Sequence, residues 1–138
     1  MIEVHAQRIA DAVETLIGSP FRLHGRDPQT GLDCVGLVLS ALAAGGISPP
    51  RVPAYRLKQA APPDIDSLAR QVGLRPASGK AQPGDLLAFA PGPAQTHLGI
   101  KVRRGLVHAH AALGRVCLTP EPLPWPLTGH WRADFQGL

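Results

Sequence analysis

The sequence predicts an α+β fold, with N-terminal helices packed on a C-terminal antiparallel β-sheet. Apolar residues recur at helical spacing in two stretches before residue 73, whereas after residue 79 they form one continuous run and several alternating runs. Helices first and strands afterwards is the order typical of this class. The length of 138 residues suits one domain with a substantial core, so we expect a single domain over 1–138.

Two helices are predicted ahead of a proline-rich segment, and one after it. Residues 2–17 form an amphipathic pattern that a Gly-Ser-Pro sequence stops. After a loop rich in turn residues, Asp33 is placed to cap an apolar helix over 34–44, which two glycines end. The irregular segment 49–63 contains five prolines, and a short helix over 65–73 follows it.

The C-terminal half reads as strands. Residues 86–90 are a continuous apolar run suited to a buried strand, whereas 97–102, 106–111 and 115–119 alternate. The tail, 125–135, carries both tryptophans, which we expect to close the core.

Composition narrows the classes of function. Hydrophobic residues make up 44% and charged residues 17%, which is globular composition. Aromatic residues are only 4%, so we expect no stacking platform for single-stranded nucleic acid. The net charge of +4 suits a polyanionic partner such as a cell-wall polymer without selecting one. No apolar run approaches the ~18 residues of a membrane span.

The two cysteines, Cys34 and Cys117, are expected to be free thiols. Residues 1–5 lack the basic and apolar regions of a secretory signal, so we expect synthesis in the cytoplasm, where free thiols are the default. Cys117 lies in an apolar strand without a motif around it, and we assign it to the core.

Cys34 stands at the first position of a predicted helix. The backbone N–H groups and the positive dipole end of a helix favour an anion, which would push a thiol there toward thiolate. The position therefore indicates a nucleophile. A small core residue is the alternative.

Three histidines converge on one face of a predicted hairpin and could supply the base for that thiol. If Arg103 and Arg104 form a two-residue turn, alternation places His97, His108 and His110 on the same face. The paired positions in that register are Val102 with Gly105, Gly99 with His108, and His97 with His110.

A cysteine, a histidine and a second polar group that orients the imidazole form an activated nucleophile. Both His108 and His110 fit the orienting role on geometry alone. Three clustered histidines could instead bind zinc with Cys34 as a fourth ligand, but the usual C-x-x-C and H-E-x-x-H spacings are absent. We expect no metal and no cofactor.

Four blocks of the sequence carry a family resemblance. In order, they are GLDCVGL at 31–37, PGDLLAF at 83–89, HLGI at 97–100 and LVHA at 106–109. Their order and spacing resemble those of the NlpC-type cysteine peptidases of bacterial cell walls, a papain-like family. The similarity extends from Phe21 to the C-terminal tryptophan segment.

The resemblance implies a compact papain-like fold and a role for each matching residue. Cys34 would be the nucleophile, His97 the general base and His108 the residue that orients its imidazole. Asp33 would contact the free amine of the substrate peptide. His110 would lie one strand position beyond the family's third polar residue, where we expect it to take part in substrate binding. The implied substrates are peptidoglycan stem peptides, often cut next to γ-D-glutamyl and diamino acid residues.

Two substitutions depart from the family pattern and are expected to affect substrate binding. Val35 replaces the serine that usually follows the cysteine, and Phe21 replaces a tyrosine found near the active site of many members. The lead-in at 21–28 is most similar to a short, single-domain branch associated with phage and gene-transfer-agent tails. That similarity implies phage-like tail partners and delivery to the cell wall by a particle.

The leading hypothesis is therefore a cysteine endopeptidase of peptidoglycan. One alternative is an amidase or acyltransferase that uses the same thiol on another amide or ester. The other is a non-catalytic wall-binding tail module. Whether the 49–63 segment gates the cleft is left open by the sequence.

Overall fold

A computed structural model of the chain describes residues 4–47, 64–93 and 95–133. Helices pack against one face of a six-stranded antiparallel sheet, which confirms the predicted α+β class. The proline-rich segment 49–63 lies outside the described residues, so whether it gates the cleft stays an open question.

The described helices follow the predicted pattern: they are α1 Val4–Thr15, α2 Cys34–Ala44 and α3 Ile65–Gln71. Helix α1 buries four apolar residues on one face. The Asp33 carboxylate caps α2, and the Asp64 carboxylate caps α3 in the same way by accepting the N–H of Ser67. None of the described helices is long and apolar enough to cross a membrane.

The described strands include four predicted ones and four others. They are β1 Arg26–Asp27, β2 Gly31–Leu32, β3 Leu74–Pro76, β4 Leu86–Phe89, β5 His97–Val102, β6 Gly105–His110, β7 Arg115–Pro120 and β8 Leu127–Ala133. Strands β4 to β7 match the predicted runs to within one residue, whereas β1, β2, β3 and β8 were not predicted as strands.

The order across the large sheet is β3-β8-β4-β5-β6-β7. Strand β8 is inserted between β3 and β4, so it pairs with two strands whose residues precede their partners by 38 positions or more. The β5–β6 hairpin pairs Val102 with Gly105 and Ile100 with Val107, which confirms the two-residue turn and its register. Strand β7 pairs with β6 on its other side.

Two hydrophobic clusters lie on opposite faces of the sheet, because alternate residues of each strand point to opposite sides. The larger cluster fills the space between helices and sheet and includes Trp131. The smaller cluster, on the other face, contains Leu87, Phe89 and Leu106, with Trp125 packed against it. The two tryptophans therefore close different faces, not one common core.

Candidate active site

The nucleophile candidate, Cys34, is the first residue of α2 and is 9% exposed. It lines a pocket of about 150 Å³ together with His97. The structure thus brings together the predicted thiol and the predicted base, which are far apart in sequence. The pocket is lined by Phe21, Cys34, Pro91, Gln95, Thr96, His97, Ala109 and Ala111.

The carboxylate of Asp33 holds the segments before and after Cys34 in place by hydrogen bonds. Its carboxylate is fully buried, and one oxygen accepts the N–H of Gly36 at 2.8 Å and a guanidinium N–H of Arg26 at 3.2 Å. The other oxygen accepts the N–H of His24 at 2.8 Å. These contacts give Asp33 a capping and loop-holding role, while its expected contact with a substrate amine stays a prediction.

The two central imidazoles are directly hydrogen-bonded. Nε2 of His97 lies 2.8 Å from Nδ1 of His108, and their ring planes are nearly perpendicular, at 88°. The bond leaves Nδ1 of His97 as the ring nitrogen available for the thiol proton. His108 is fully buried at the centre of β6, so its ring is fixed by packing on all sides.

Trp125 covers both imidazoles on the face of the sheet away from the helices. Its ring centroid lies 5.3 Å from that of His97 and 5.2 Å from that of His108, both in edge-to-face geometry. It also contacts Phe89 at 5.6 Å. The sequence signalled only that the tail would bury its tryptophans, not that one would cover the predicted base.

Two residues of β7 complete the surroundings of His108. Thr119 Oγ1 lies 2.6 Å from Nε2 of His108, and Cys117 Sγ lies 3.6 Å from the same nitrogen. The assignment of Cys117 to the core was wrong, because its side chain is half-buried on the histidine face of an edge strand. Thr119 was missed, although continuing the alternation through a second hairpin would have placed it on this face.

The ionisation of the thiol differs from the expected thiolate. Burial raises the pKa of Cys34 to about 11, and the negative charge of Asp33 adds to the rise. The backbone N–H of Leu98 opposes it without reversing it. Desolvation thus outweighs the helix terminus, and the free thiol of the resting protein is neutral.

The imidazoles are neutral as well. Burial lowers the pKa of His97 to about 4, and His110 acts in the same direction. Burial, and then His97 and His110, lowers the pKa of His108 to about 3. At neutral pH both rings are therefore uncharged, and their hydrogen bonding depends on which nitrogen of each ring carries the hydrogen.

Two other predicted residues lie around this centre. Val35 is half-buried and lines an apolar groove between α2, α3 and the sheet, on a different side from the Cys34 pocket. His110 ends β6 with its ring 5.7 Å from that of His108, and its Nδ1 accepts the N–H of Leu113. Their roles in substrate binding stay predictions.

A zinc site was one alternative for the histidine cluster. Within residues 4–47, 64–93 and 95–133, no group of three or more His, Cys, Asp or Glu side chains is arranged to hold a metal ion. The histidines instead bond to each other and to β7.

The α+β fold, with a cysteine at a helix start and a histidine pair on the adjacent sheet, defines a papain-like arrangement. A sequence profile described as the NlpC/P60 family matches residues 18–119, which include Cys34, His97, His108 and Thr119 but not Trp125. The chain belongs to the NlpC/P60 family. A search of curated protein sequences finds no match.

Solved structures share the fold. NlpC1 from Trichomonas vaginalis is 21% identical with a TM-score of 0.70, covering 96% of this chain and 47% of its own. The P60 domain of antigen MAP1204 from M. avium subspecies paratuberculosis is 22% identical with a TM-score of 0.61, covering 94% and 93%. The peptidoglycan hydrolase RipB from Mycobacterium tuberculosis is 23% identical with a TM-score of 0.55, covering 92% and 63%. This chain thus spans about half the length of the Trichomonas protein.

Proposed function

We propose that this protein is a peptidoglycan hydrolase, a cysteine endopeptidase that cleaves amide bonds of stem peptides through Cys34. The observation that carries the proposal is the pocket that Cys34 and His97 share, in which Nε2 of His97 is hydrogen-bonded to Nδ1 of His108 at 2.8 Å. Membership of the NlpC/P60 family supports the reaction class. The structure of RipB, described as a peptidoglycan hydrolase, supports the substrate class.

The proposed reaction begins from neutral partners. Nδ1 of His97 accepts the thiol proton as Sγ of Cys34 attacks the substrate carbonyl carbon, and a C–S bond forms. The electron pair of the carbonyl moves to its oxygen, which the backbone N–H of Cys34 can stabilise. Collapse of this intermediate breaks the C–N bond, and His97 returns the proton to the leaving amine.

Hydrolysis of the acyl-enzyme completes the cycle. His97 takes a proton from water, the water oxygen attacks the thioester carbonyl, and the C–S bond breaks to release the acid and the thiol. His108 acts throughout by holding the imidazole of His97, because its Nδ1 accepts a hydrogen bond from the Nε2–H of the imidazolium that forms. No redox partner is required for this cycle.

For the bond that is cut, we propose the amide between γ-D-glutamate and a diamino acid. The support is the resemblance of the four motif blocks to NlpC-type peptidases, and the net charge of +4 suits an anionic wall polymer. Phe21, which lines the thiol pocket, is the residue most directly placed to change this specificity.

Digestion of purified sacculi and of defined muropeptides tests the proposal. The wild-type protein is expected to release fragments with a new free γ-carboxyl and a new diamino acid amine, identified by mass spectrometry. Cys34→Ala and His97→Asn should each lose at least about a thousandfold in kcat/KM. His5→Gln is the matched control, since His5 lies on α1 and bonds the carbonyl oxygen of Gly45, away from the pocket.

Full activity of Cys34→Ala would overturn the proposal. A trapped acyl group on Cys34 with a transfer product would instead indicate an acyltransferase. A folded wild-type protein that binds sacculi without any cleavage would indicate a wall-binding module.

We also propose that the protein is made in the cytoplasm and carried to the cell wall by a phage-like tail. The support is the similarity of residues 21–28 to the tail-associated branch. Immunolabelling of purified tail particles should place the protein at the tail tip. Its presence in a periplasmic fraction from cells that make no particles would contradict this route.

A further inference from the structure

We propose that Thr119, together with Cys117, is a positioning unit that selects the tautomer of His108 and through it the tautomer of His97. The unit touches no substrate and acts through two imidazoles. Its catalytic consequence rests on the proposed function, whereas its structural consequence can be measured in the free protein.

The pairing of β6 and β7 brings the unit to His108. Cys117 is the direct partner of His108 and Thr119 the direct partner of Leu106, so all four side chains share one face of the sheet. Thr119 Oγ1 lies 2.6 Å from Nε2 of His108, and Cys117 Sγ lies 3.6 Å from it. The buried imidazole therefore has a hydroxyl as its close partner at this nitrogen.

The position of one hydrogen decides the direction of this bond. A hydroxyl can donate or accept, and we assign Oγ1 of Thr119 as the acceptor because the proposed base role of His97 requires it. Burial raises the pKa of Cys117 and a side-chain hydrogen bond with Thr119 opposes the rise, which agrees with a hydroxyl hydrogen directed toward the sulfur. In this assignment Nε2 of His108 carries the ring hydrogen and donates it to Thr119.

The rest of the chain of hydrogen bonds follows from this choice. A neutral imidazole has one N–H, so Nδ1 of His108 is an acceptor and Nε2 of His97 donates to it across the 2.8 Å contact. Nδ1 of His97 is left with a free electron pair, which is what a base for the Cys34 proton requires. The opposite direction would put a hydrogen on Nδ1 of His97 and block proton transfer.

The same geometry separates the two candidates for the orienting residue. His110 shares the face of His108, but its Nδ1 accepts the backbone N–H of Leu113 at 3.1 Å. Only His108 stands both 2.8 Å from His97 and 2.6 Å from Thr119. The sequence left this choice open on geometry, and β7 resolves it.

Imidazole ¹⁵N NMR of the full chain with ¹⁵N-labelled histidine tests the inference without substrate. At pH 7.5 both His97 and His108 are expected as Nε2–H tautomers, assigned by comparison with His97→Asn and His108→Gln. Thr119→Val keeps the shape but removes the acceptor, so His108 should lose the pure Nε2–H signature and His97 should become a tautomer mixture. Thr119→Ser should restore the wild-type spectrum.

Kinetics supply the second readout. Thr119→Val is expected to lower kcat about tenfold or more with KM nearly unchanged, the size expected for one lost hydrogen bond, and Thr119→Ser should recover most of it. Thr15→Val, on the exposed part of α1, is the matched control and should change neither readout.

Two results would overturn the inference: an Nδ1–H tautomer of His97 in the wild-type protein, or an unchanged His97 spectrum in folded Thr119→Val. An inactive wild-type protein with the expected tautomers would refute the proposed function and leave the inference standing.

Discussion

Alkylation of Cys34 offers a direct measure of how the site controls its thiol. With a pKa of about 11, Cys34 has a thiolate fraction of about 3 × 10⁻⁴ at pH 7.5, compared with about 0.1 for an ordinary cysteine of pKa ~8.5. The iodoacetamide reaction in the folded protein should therefore be a few hundred times slower than in the unfolded chain. The rate should rise about tenfold per pH unit from pH 6 to 9.5.

Peptide mass spectrometry of quenched samples separates the Cys34 peptide from the Cys117 peptide. His97→Asn is the informative variant, because a neutral resting thiol predicts the same slow rate with or without the imidazole. A rate that is already on a plateau at pH 6 and that collapses in His97→Asn would refute the reasoning. That pattern would show a preformed thiolate–imidazolium pair.

Three further changes test the packing around the site. Since burial lowers the pKa of His97 to about 4, the folded state holds fewer protons below pH 6.5, and about 2 kcal/mol of stability should be lost from His97 alone between pH 8 and pH 5. Asp85→Asn should cost about 3 kcal/mol, because this fully buried carboxylate bonds a histidine at 2.6 Å and an arginine at 2.9 Å on β8. Gly36→Ala should cost about 2 kcal/mol, because its Cβ would lie 2.0 Å from the carbonyl oxygen of Gly25.

Urea unfolding followed by circular dichroism measures all three. The stability lost between pH 8 and pH 5 should be smaller in the His97→Asn variant. An equal loss in that variant would show that other groups cause it. Asp11→Asn, on the exposed face of α1, is the control for Asp85. Ser40→Ala, later in the same helix, is the control for Gly36→Ala. Equal free energies of unfolding for these two variants would show that the loop at Gly25 accommodates the added methyl group at no cost.

Local signals accounted for much of the fold. The Asp33 cap and the closing glycines defined α2, because a helix terminus must satisfy its own backbone groups within a few residues. The β5–β6 register followed from a two-residue turn and strict alternation, so the shared face of the histidines could be read from the sequence.

The pairing of strands far apart in the sequence and the desolvation of Cys34 could not be predicted from local sequence patterns. Strand β8 is inserted between β3 and β4, and its partners lie about forty residues or more before it, so no nearby residue specifies it. The thiol ionisation failed as a prediction for a related reason. The favourable helix terminus is a local effect, whereas the burial that raises the pKa of Cys34 depends on elements from the whole chain.

The sheet that separates the two hydrophobic clusters also divides the working parts of the site. The thiol belongs to the cluster under the helices, and the imidazole pair lies beneath Trp125 on the opposite face. The two parts meet at the start of β5, where His97 and Cys34 line one pocket. Substitutions around Trp125 can therefore change the surroundings of the base with little change to the packing of the thiol, which gives selection, or a protein engineer, two places at which to adjust one reaction.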